Sequence, residues 1–237
     1  MCQQPSTLFF GRPDCNYSLA LRDHLNSLDF SVQEVWSRQR GEDLPGLVQE
    51  WHGDYIFCFR SYFILPLWLI TRAKHAAVNL HPGPPEYRGS GCLNWALYDE
   101  VSEYGVTAHF MSENVDEGPI IDVKRFSVHQ TDSVSSLLDR THECALQLAC
   151  ELINGVADGG VSYLHMRELA AKEEWSGPIR RMASVDSLSQ VDPATSRKEL
   201  ERVIRATHTP EFPTYVDLFG YRFRLESTPG PESHGDQ

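Results

Sequence analysis

The chain has 237 residues, 41% of them hydrophobic, with 33 acidic and 21 basic side chains and a net charge of -12. That length suits one medium-sized domain with a buried core and a small appendage, and no apolar run reaches the ~20 residues of a membrane helix. The acidic balance opposes tRNA or DNA, whose binders present a basic face, but leaves room for a small anion held by a few arginines. The cysteines (Cys2, Cys15, Cys58, Cys92, Cys144 and Cys150) form no C-x-x-C pair. They read as reduced thiols of a cytoplasmic protein, not as a zinc ribbon or a disulfide framework. The first residues show no basic-then-apolar pattern, so no secretory signal is expected.

Thr7-Leu8-Phe9-Phe10 predicts a first strand that ends at Gly11. A helix is expected over 18–28, with Leu19, Leu21, Leu25 and Leu28 on its apolar face. A second strand follows at 32–36 and a helix at 44–52. Residues 54–59 are nearly all apolar, as in a parallel strand covered on both faces. Pro66 starts a helix to about Ala73, which returns the chain to a strand at 76–80. Strands alternating with helices imply an α/β fold, Rossmann-like, with a mostly parallel sheet flanked by helices. The dinucleotide signature G-x-G-x-x-G is absent. Ligands of such sheets sit beyond the carboxyl ends of the strands.

Further on, a helix is expected at 91–98, a strand at 105–111, a turn at 115–118 and strand again over 119–128. A long helix is expected at 133–153, with Leu137, Leu138, Cys144, Leu148 and Leu152 on or near one face. Asp132-Ser133 offers its N-cap and Gly155 its stop. The stretch 156–177 shows no regular pattern, and 184–195 reads as a linker. A short helix at 198–206 and a hairpin around Phe219-Gly220 close the chain. The organisation is a catalytic domain at 1–183, a small helix-plus-hairpin subdomain at 184–227 and a disordered tail at 228–237.

The chemistry gathers at Ala76-Ala77-Val78-Asn79-Leu80-His81-Pro82. Strand side chains alternate faces, so Asn79 and His81 point the same way at a strand exit, before a loop stiffened by Pro82, Pro84 and Pro85. An imidazole moves protons near neutral pH, and an amide donates to an oxyanion without a charge of its own. Asp116, in a Val-Asp-Glu-Gly turn that Gly118 lets close tightly, is the best carboxylate to orient the ring. Neither a G-x-S-x-G elbow nor a cysteine with an evident base is present, so the substrate brings its own nucleophile, such as an amine. His109 is expected to be a packed or hydrogen-bonded histidine. Spacing of His75, His81 and Cys92 matches no common zinc pattern, and no metal is expected.

Taken in order, Asn79-Leu80-His81-Pro82, Tyr87-Arg88-Gly89, Leu93-Asn94-Trp95-Ala96, Gly105-Val106-Thr107-Ala108-His109 and Val115-Asp116-Glu117-Gly118-Pro119-Ile120 resemble the formyltransferase family. The resemblance covers about residues 8–152. It implies transfer of a formyl group from N10-formyltetrahydrofolate to an amine, with Asn79, His81 and Asp116 as the catalytic set. The amine attacks the formyl carbon, Asn79 and His81 stabilise the oxyanion, His81 relays the proton and Asp116 holds His81. The resemblance places the folate pterin against Tyr62, Phe63, Ile64 and Leu65, closed on its other side by Asn114, Val115 and Asp116. The loop from Gly83 to Arg88 is one residue shorter than the family pattern, and acceptor choice is expected to be written there.

The Leu-Asn-Trp-Ala stretch and the closing hairpin resemble the sugar nucleotide N-formyltransferases. The implied acceptor is a nucleotide-linked amino-dideoxysugar of the dTDP-4-amino-4,6-dideoxyglucose type, for lipopolysaccharide or another cell-surface glycan. The alternatives are glycinamide ribonucleotide, methionyl-tRNA, or water in a formyltetrahydrofolate hydrolase. Candidate acceptor contacts are Arg88, Asn94, Trp95, Arg12 and Asn16, with Phe212 and Tyr215 to stack on a base, and Trp175 similar to them. Arg88 is weighed as a pyrophosphate ligand. The partners expected are a nucleotide sugar and folate, without nucleic acid or membrane, and the hairpin offers a homodimer contact.

Overall fold

The computed structural model describes residues 4–226. β1 (Ser6–Gly11), α1 (Asn16–Ser27), β2 (Ser31–Trp36), β3 (Gly53–Phe59), α2 (Leu67–Ile70) and β4 (Ala73–His81) form the first half. β5 (Arg88–Gly89), α3 (Cys92–Tyr98), β6 (Glu103–Phe110), β7 (Ile120–Ser127) and the long α4 (Val134–Gly159) follow. The chain ends with α5 (Val161–Ala170), β8 (Ile179–Arg180), α6 (Met182–Leu188), α7 (Arg197–Thr207) and a hairpin of β9 (Tyr215–Leu218) and β10 (Tyr221–Arg224). The main sheet runs β2-β1-β3-β4-β6-β7. Its first four strands are parallel, and β6 and β7 are antiparallel to their neighbours. The fold is the mostly parallel α/β sheet that the sequence implies, with a small C-terminal hairpin.

Side-chain alternation sorts the core. Phe9, Phe57, Val78 and Leu80 pack with Leu21 and Leu25 of α1 and Leu148 and Leu152 of α4. Leu8, Phe10, Ile56, Cys58 and Ala77 fill the opposite face, with Leu65 and Leu69. Burying each large apolar side chain contributes about 1.5–3 kcal/mol. β3 is apolar on both faces, so its own pattern leaves its register open. β4 supplies the constraint, because a one-residue slip would drive Asn79 and His81 into the α4 face.

The elements depart from expectation at places with physical causes. The helix expected at 44–52 is a single 3-10 turn, Gly46–Val48, entered through Pro45. α4 does not stop at Gly155; there the Tyr163 ring of α5 packs where a Cβ would be. The stop comes at Gly160, with φ 62°. The unpatterned stretch after α4 contains α5, anchored by buried Leu164. Half of the expected linker is α6, whose Val185 packs against Gly91. α7 packs on the catalytic body: Ala206 joins Tyr87, Cys92, Ala96 and Leu97 in one buried cluster. No helix among the described residues is long and apolar enough to cross a membrane. The tail expected at 228–237 lies outside the described residues.

Candidate active site

The antiparallel register of β4 and β6 sets Asn79 opposite His109 and His81 opposite Thr107. The loop after His81 folds back over it. Tyr104 Oη donates to the Pro82 carbonyl at 2.9 Å, and Thr107 Oγ1 to the Gly83 carbonyl at 2.8 Å. His81 Nε2 lies 2.7 Å from the Tyr87 carbonyl oxygen. A Cβ on Gly83 would press on both of those atoms, so only glycine leaves space for the contact. Pro84, Pro85 and Tyr87 are buried. The shortened loop therefore faces inward, and Gly89 and Ser90, which follow it, line the cavity.

Asp116 has φ 52°, a left-handed conformation that aspartate tolerates better than most residues. The turn's conformational freedom thus belongs to Asp116. Gly118 serves a different need, because a Cβ there would overlap the Phe110 carbonyl oxygen. Asp116 Oδ2 accepts from the Gly89 amide at 2.9 Å and lies 3.3 Å from His81 Nδ1. Asp116 Oδ1 lies 3.5 Å from His109 Nε2. Asn79 Nδ2 is 3.0 Å from the same His109 nitrogen. With His109 Nδ1 donating to the Phe110 carbonyl at 2.8 Å, its Nε2 is left to accept from the Asn79 amide. His109 is therefore the hydrogen-bonded histidine that the sequence suggested, and its partner is the Asn79 amide of the cluster. Its signal was the β4–β6 pairing, which spacing within one strand does not carry.

Trp175 closes the cluster from behind. Its Nε1 donates to the Gly118 carbonyl at 2.6 Å, and its ring meets His109 and His81 edge-on at 5.1 and 5.8 Å. His81, His109 and Asp116 are all buried. Burial pushes the His81 imidazolium down; the Asp116 charge and the Tyr87 carbonyl pull it up, and the net stays below the usual histidine value. For Asp116 burial acts upward, but His81, the neighbouring His109 and the Gly89 amide outweigh it and hold the carboxyl low. Both nitrogens of His81 face acceptors, so the ring takes a second proton with each N–H already provided for.

These residues open on a cavity of about 550 Å³ at the carboxyl end of the parallel strands. Asn79, His81, Asp116, Tyr62, Phe63, Ile64, Leu65, Asn114, Val115 and Arg12 all line it. Seven other candidate contacts do not, Trp175 behind the cluster among them. Arg88 donates to the Asp116 carbonyl at 3.0 Å and to Glu117 at 2.6 Å, which braces the turn. Asn94 ties α3 to α7 through the Ala206 carbonyl, and Trp95 donates to Ser184. Asn16 is exposed at the start of α1. Phe212 is exposed, and Tyr215 lines a separate groove between α7 and the hairpin. Arg180 and Arg181, which sequence reasoning passed over, line the catalytic cavity.

Cys92 Sγ lies 3.9 Å from His81 Nε2, but burial pushes its thiol up to about 12. At neutral pH it is no nucleophile. The attacking group must come with the substrate, which makes this an acyl-transfer centre for an incoming amine or water. Residues 13–153 match the formyl transferase family, and the chain belongs to that family. It is 31% identical to a GDP-perosamine N-formyltransferase of Brucella melitensis, over 78% of this chain and 69% of that protein. Its fold is similar to that of a 4-N formyltransferase from Francisella tularensis, with a TM-score of 0.73, 15% identity, and 93% and 96% of the two chains covered. It is also similar to an N-formyltransferase from Helicobacter canadensis in complex with folinic acid and dTDP-3-aminofucose, with a TM-score of 0.65, 15% identity, and 92% and 85% covered.

Proposed function

We propose that the protein transfers the formyl group of N10-formyltetrahydrofolate to the amine of a nucleotide-linked amino-dideoxysugar, of the dTDP-4-amino-4,6-dideoxyglucose type. The observation that carries this is the Asn79–His81–Asp116 cluster, its imidazole and carboxylate buried, without a protein nucleophile, between two differently built ends of one cavity. On one side lies the segment Tyr62 to Leu65 with Asn114 and Val115. The backbone groups of Ile64 and Leu65 make no hydrogen bond among the described residues, beside apolar side chains. Such a wall suits a flat heterocycle rich in donors and acceptors. On the other side lie Gly89, Ser90, Arg180 and Arg181, where an acceptor can approach.

The folate, held at the first side, supplies the activated formyl group. The Asn79 amide donates to the formyl oxygen as negative charge develops there. His81 takes the proton from the attacking amine and passes it to the departing folate nitrogen as that nitrogen's bond to the formyl carbon breaks, while Asp116 keeps the ring oriented and balances its positive charge. Trp175 and the folded-back loop keep water from the ring. The 31% identical relative supports a second reading of the acceptor, a GDP-linked amino sugar. A panel of dTDP-, UDP- and GDP-linked amino sugars with N10-formyltetrahydrofolate, read by mass for an added formyl group, tests the function. Release of tetrahydrofolate at a rate indifferent to every amino sugar would mark a hydrolase instead. His81→Ala and Asn79→Ala are each expected to slow transfer by about 10²–10⁴-fold while the melting temperature and acceptor binding hold. An active His81→Ala enzyme would end the catalytic assignment.

A further inference from the structure

We infer that Arg180 and Arg181 form the phosphate-binding end of the acceptor subsite, delivered there by a strap sewn to the catalytic loop. The inference rests on the proposed nucleotide-linked acceptor. The strap runs from the end of α5 to β8. Glu173 pairs with Arg125, Trp175 donates to the Gly118 carbonyl, and the Ser176 amide donates to the Pro85 carbonyl at 3.0 Å. β8 then pairs in parallel with β5, and the Ser90 amide donates to the Arg180 carbonyl at 3.0 Å. Side chains at Gly89 or Gly177 would collide with backbone across this seam. Arg180 is thereby fixed opposite Gly89, the residue whose amide holds Asp116.

The Arg180 guanidinium lies 4.5 Å over the Trp95 ring and 5.4 Å from the Tyr87 ring. Stacking holds it flat and leaves its edge donors for a ligand, the geometry in which arginine grips phosphate. Its single carboxylate neighbour among the described residues is Asp99 at 3.5 Å, which already accepts from Tyr87 Oη at 2.8 Å. Its Nε is buried and has no partner. Arg181 lines the same cavity, and its side chain makes no hydrogen bond or ion pair among the described residues. Two adjacent cations in a chain of net charge -12 suit a group with more than one negative charge. The other cations in the cavity lie elsewhere: Arg12 and Arg40 flank Tyr62 on the folate side, Arg12 is paired with Asp14, and Arg60 donates to His142 Nδ1 at 3.0 Å. Arg88, outside the cavity lining, is engaged by the Asp116 carbonyl and Glu117.

The test compares wild type, Arg180→Ala, Arg180→Lys and Arg181→Ala in the full chain. Steady-state kinetics give KM for amino sugar nucleotide and for N10-formyltetrahydrofolate. Calorimetry with dTDP, UDP and GDP, and with the matching nucleosides, reports phosphate binding without turnover. Each alanine variant is expected to raise the acceptor KM by on the order of 10- to 100-fold with the folate KM unchanged. Nucleoside diphosphate binding should weaken in parallel, nucleoside binding should not, and Arg180→Lys should recover part of the loss. An acceptor KM within about twofold of wild type in both alanine variants, or a folate KM that rises instead, overturns the inference. Arg181 is exposed, so its variant separates this outcome from misfolding. Arginine-dependent diphosphate binding in a wild type that formylates no sugar nucleotide would sink the proposed acceptor and leave the phosphate site standing.

Discussion

His142, on α4, accepts from Arg60 at Nδ1, 3.0 Å away, and its Nε2 is buried without a partner. Burial, followed by the charges of Arg60 and Arg12, pushes this ring down to about 3. A folded-state value below the unfolded one means that the unfolded chain binds the proton first. The stability is therefore full above pH ~6.5 and falls as the pH drops toward the folded value. At pH 5 the loss is about 2 kcal/mol. His142→Gln keeps an acceptor for Arg60 and does not titrate; its denaturation midpoint should depend less on pH between 7 and 5 than that of wild type, at roughly this magnitude. Equal slopes for the two proteins would show that the ring stays wet. His81 is lowered for the same first reason, burial, but Asp116 raises it. Asp116→Asn should therefore move the acid limb of kcat/KM to lower pH as well as slow the reaction, and a limb that stays in place would remove Asp116 from contact with the titrating ring.

Between elements, contact depends on clearances. The Asp116 turn closes against β6 because Gly118 has no side chain to meet the Phe110 carbonyl. Gly118→Ala should cost about 1–3 kcal/mol and carry Asp116 away from His81, lowering kcat more than it alters folate KM. Thermal melts and steady-state kinetics check both halves. The glycines at 118 and 155 show how such needs are concealed. The tight turn at 118 and the helix stop at 155 are reasonable local readings. In the structure one glycine admits a carbonyl from the neighbouring strand and the other a tyrosine ring from the next helix.

At the scale of the whole molecule, α7 decides whether the C-terminal part is separate. Asn94 donates to the Ala206 carbonyl at 2.7 Å, Tyr98 Oη to Glu199 at 2.6 Å, and Arg205 reaches the Asp132 carbonyl at 3.0 Å. Ala206 is fully buried in the cluster that holds Tyr87 and Cys92, which flank His81. α7 should therefore unfold together with the catalytic body, in one cooperative denaturant transition. Ala206→Leu overfills that cluster and should shift the whole transition by about 1–3 kcal/mol. Two transitions, with activity lost only in the second, would mark 184–227 as an independent unit.

The strand period alone aligned Asn79 with His81, and the alternation of strands and helices alone called for a mostly parallel sheet. Both follow from local patterning, because the faces of a strand or helix are decided by sequence spacing. The turn at 115–118 offered Asp116, and the ordered motifs added the folate wall as resemblance. The tertiary structure alone brought in His109, Arg180 and Arg181, set Trp175 behind the imidazoles, and took Arg88, Asn94 and Trp95 out of the cavity. Those outcomes rest on the antiparallel register of β4 with β6 and on the seam between β5 and β8. Pairing of distant segments is decided by backbone hydrogen bonds and by the absence of single Cβ atoms at Gly83, Gly89, Gly118 and Gly177. Neither leaves a period in the sequence, so neither can be read before the chain is folded.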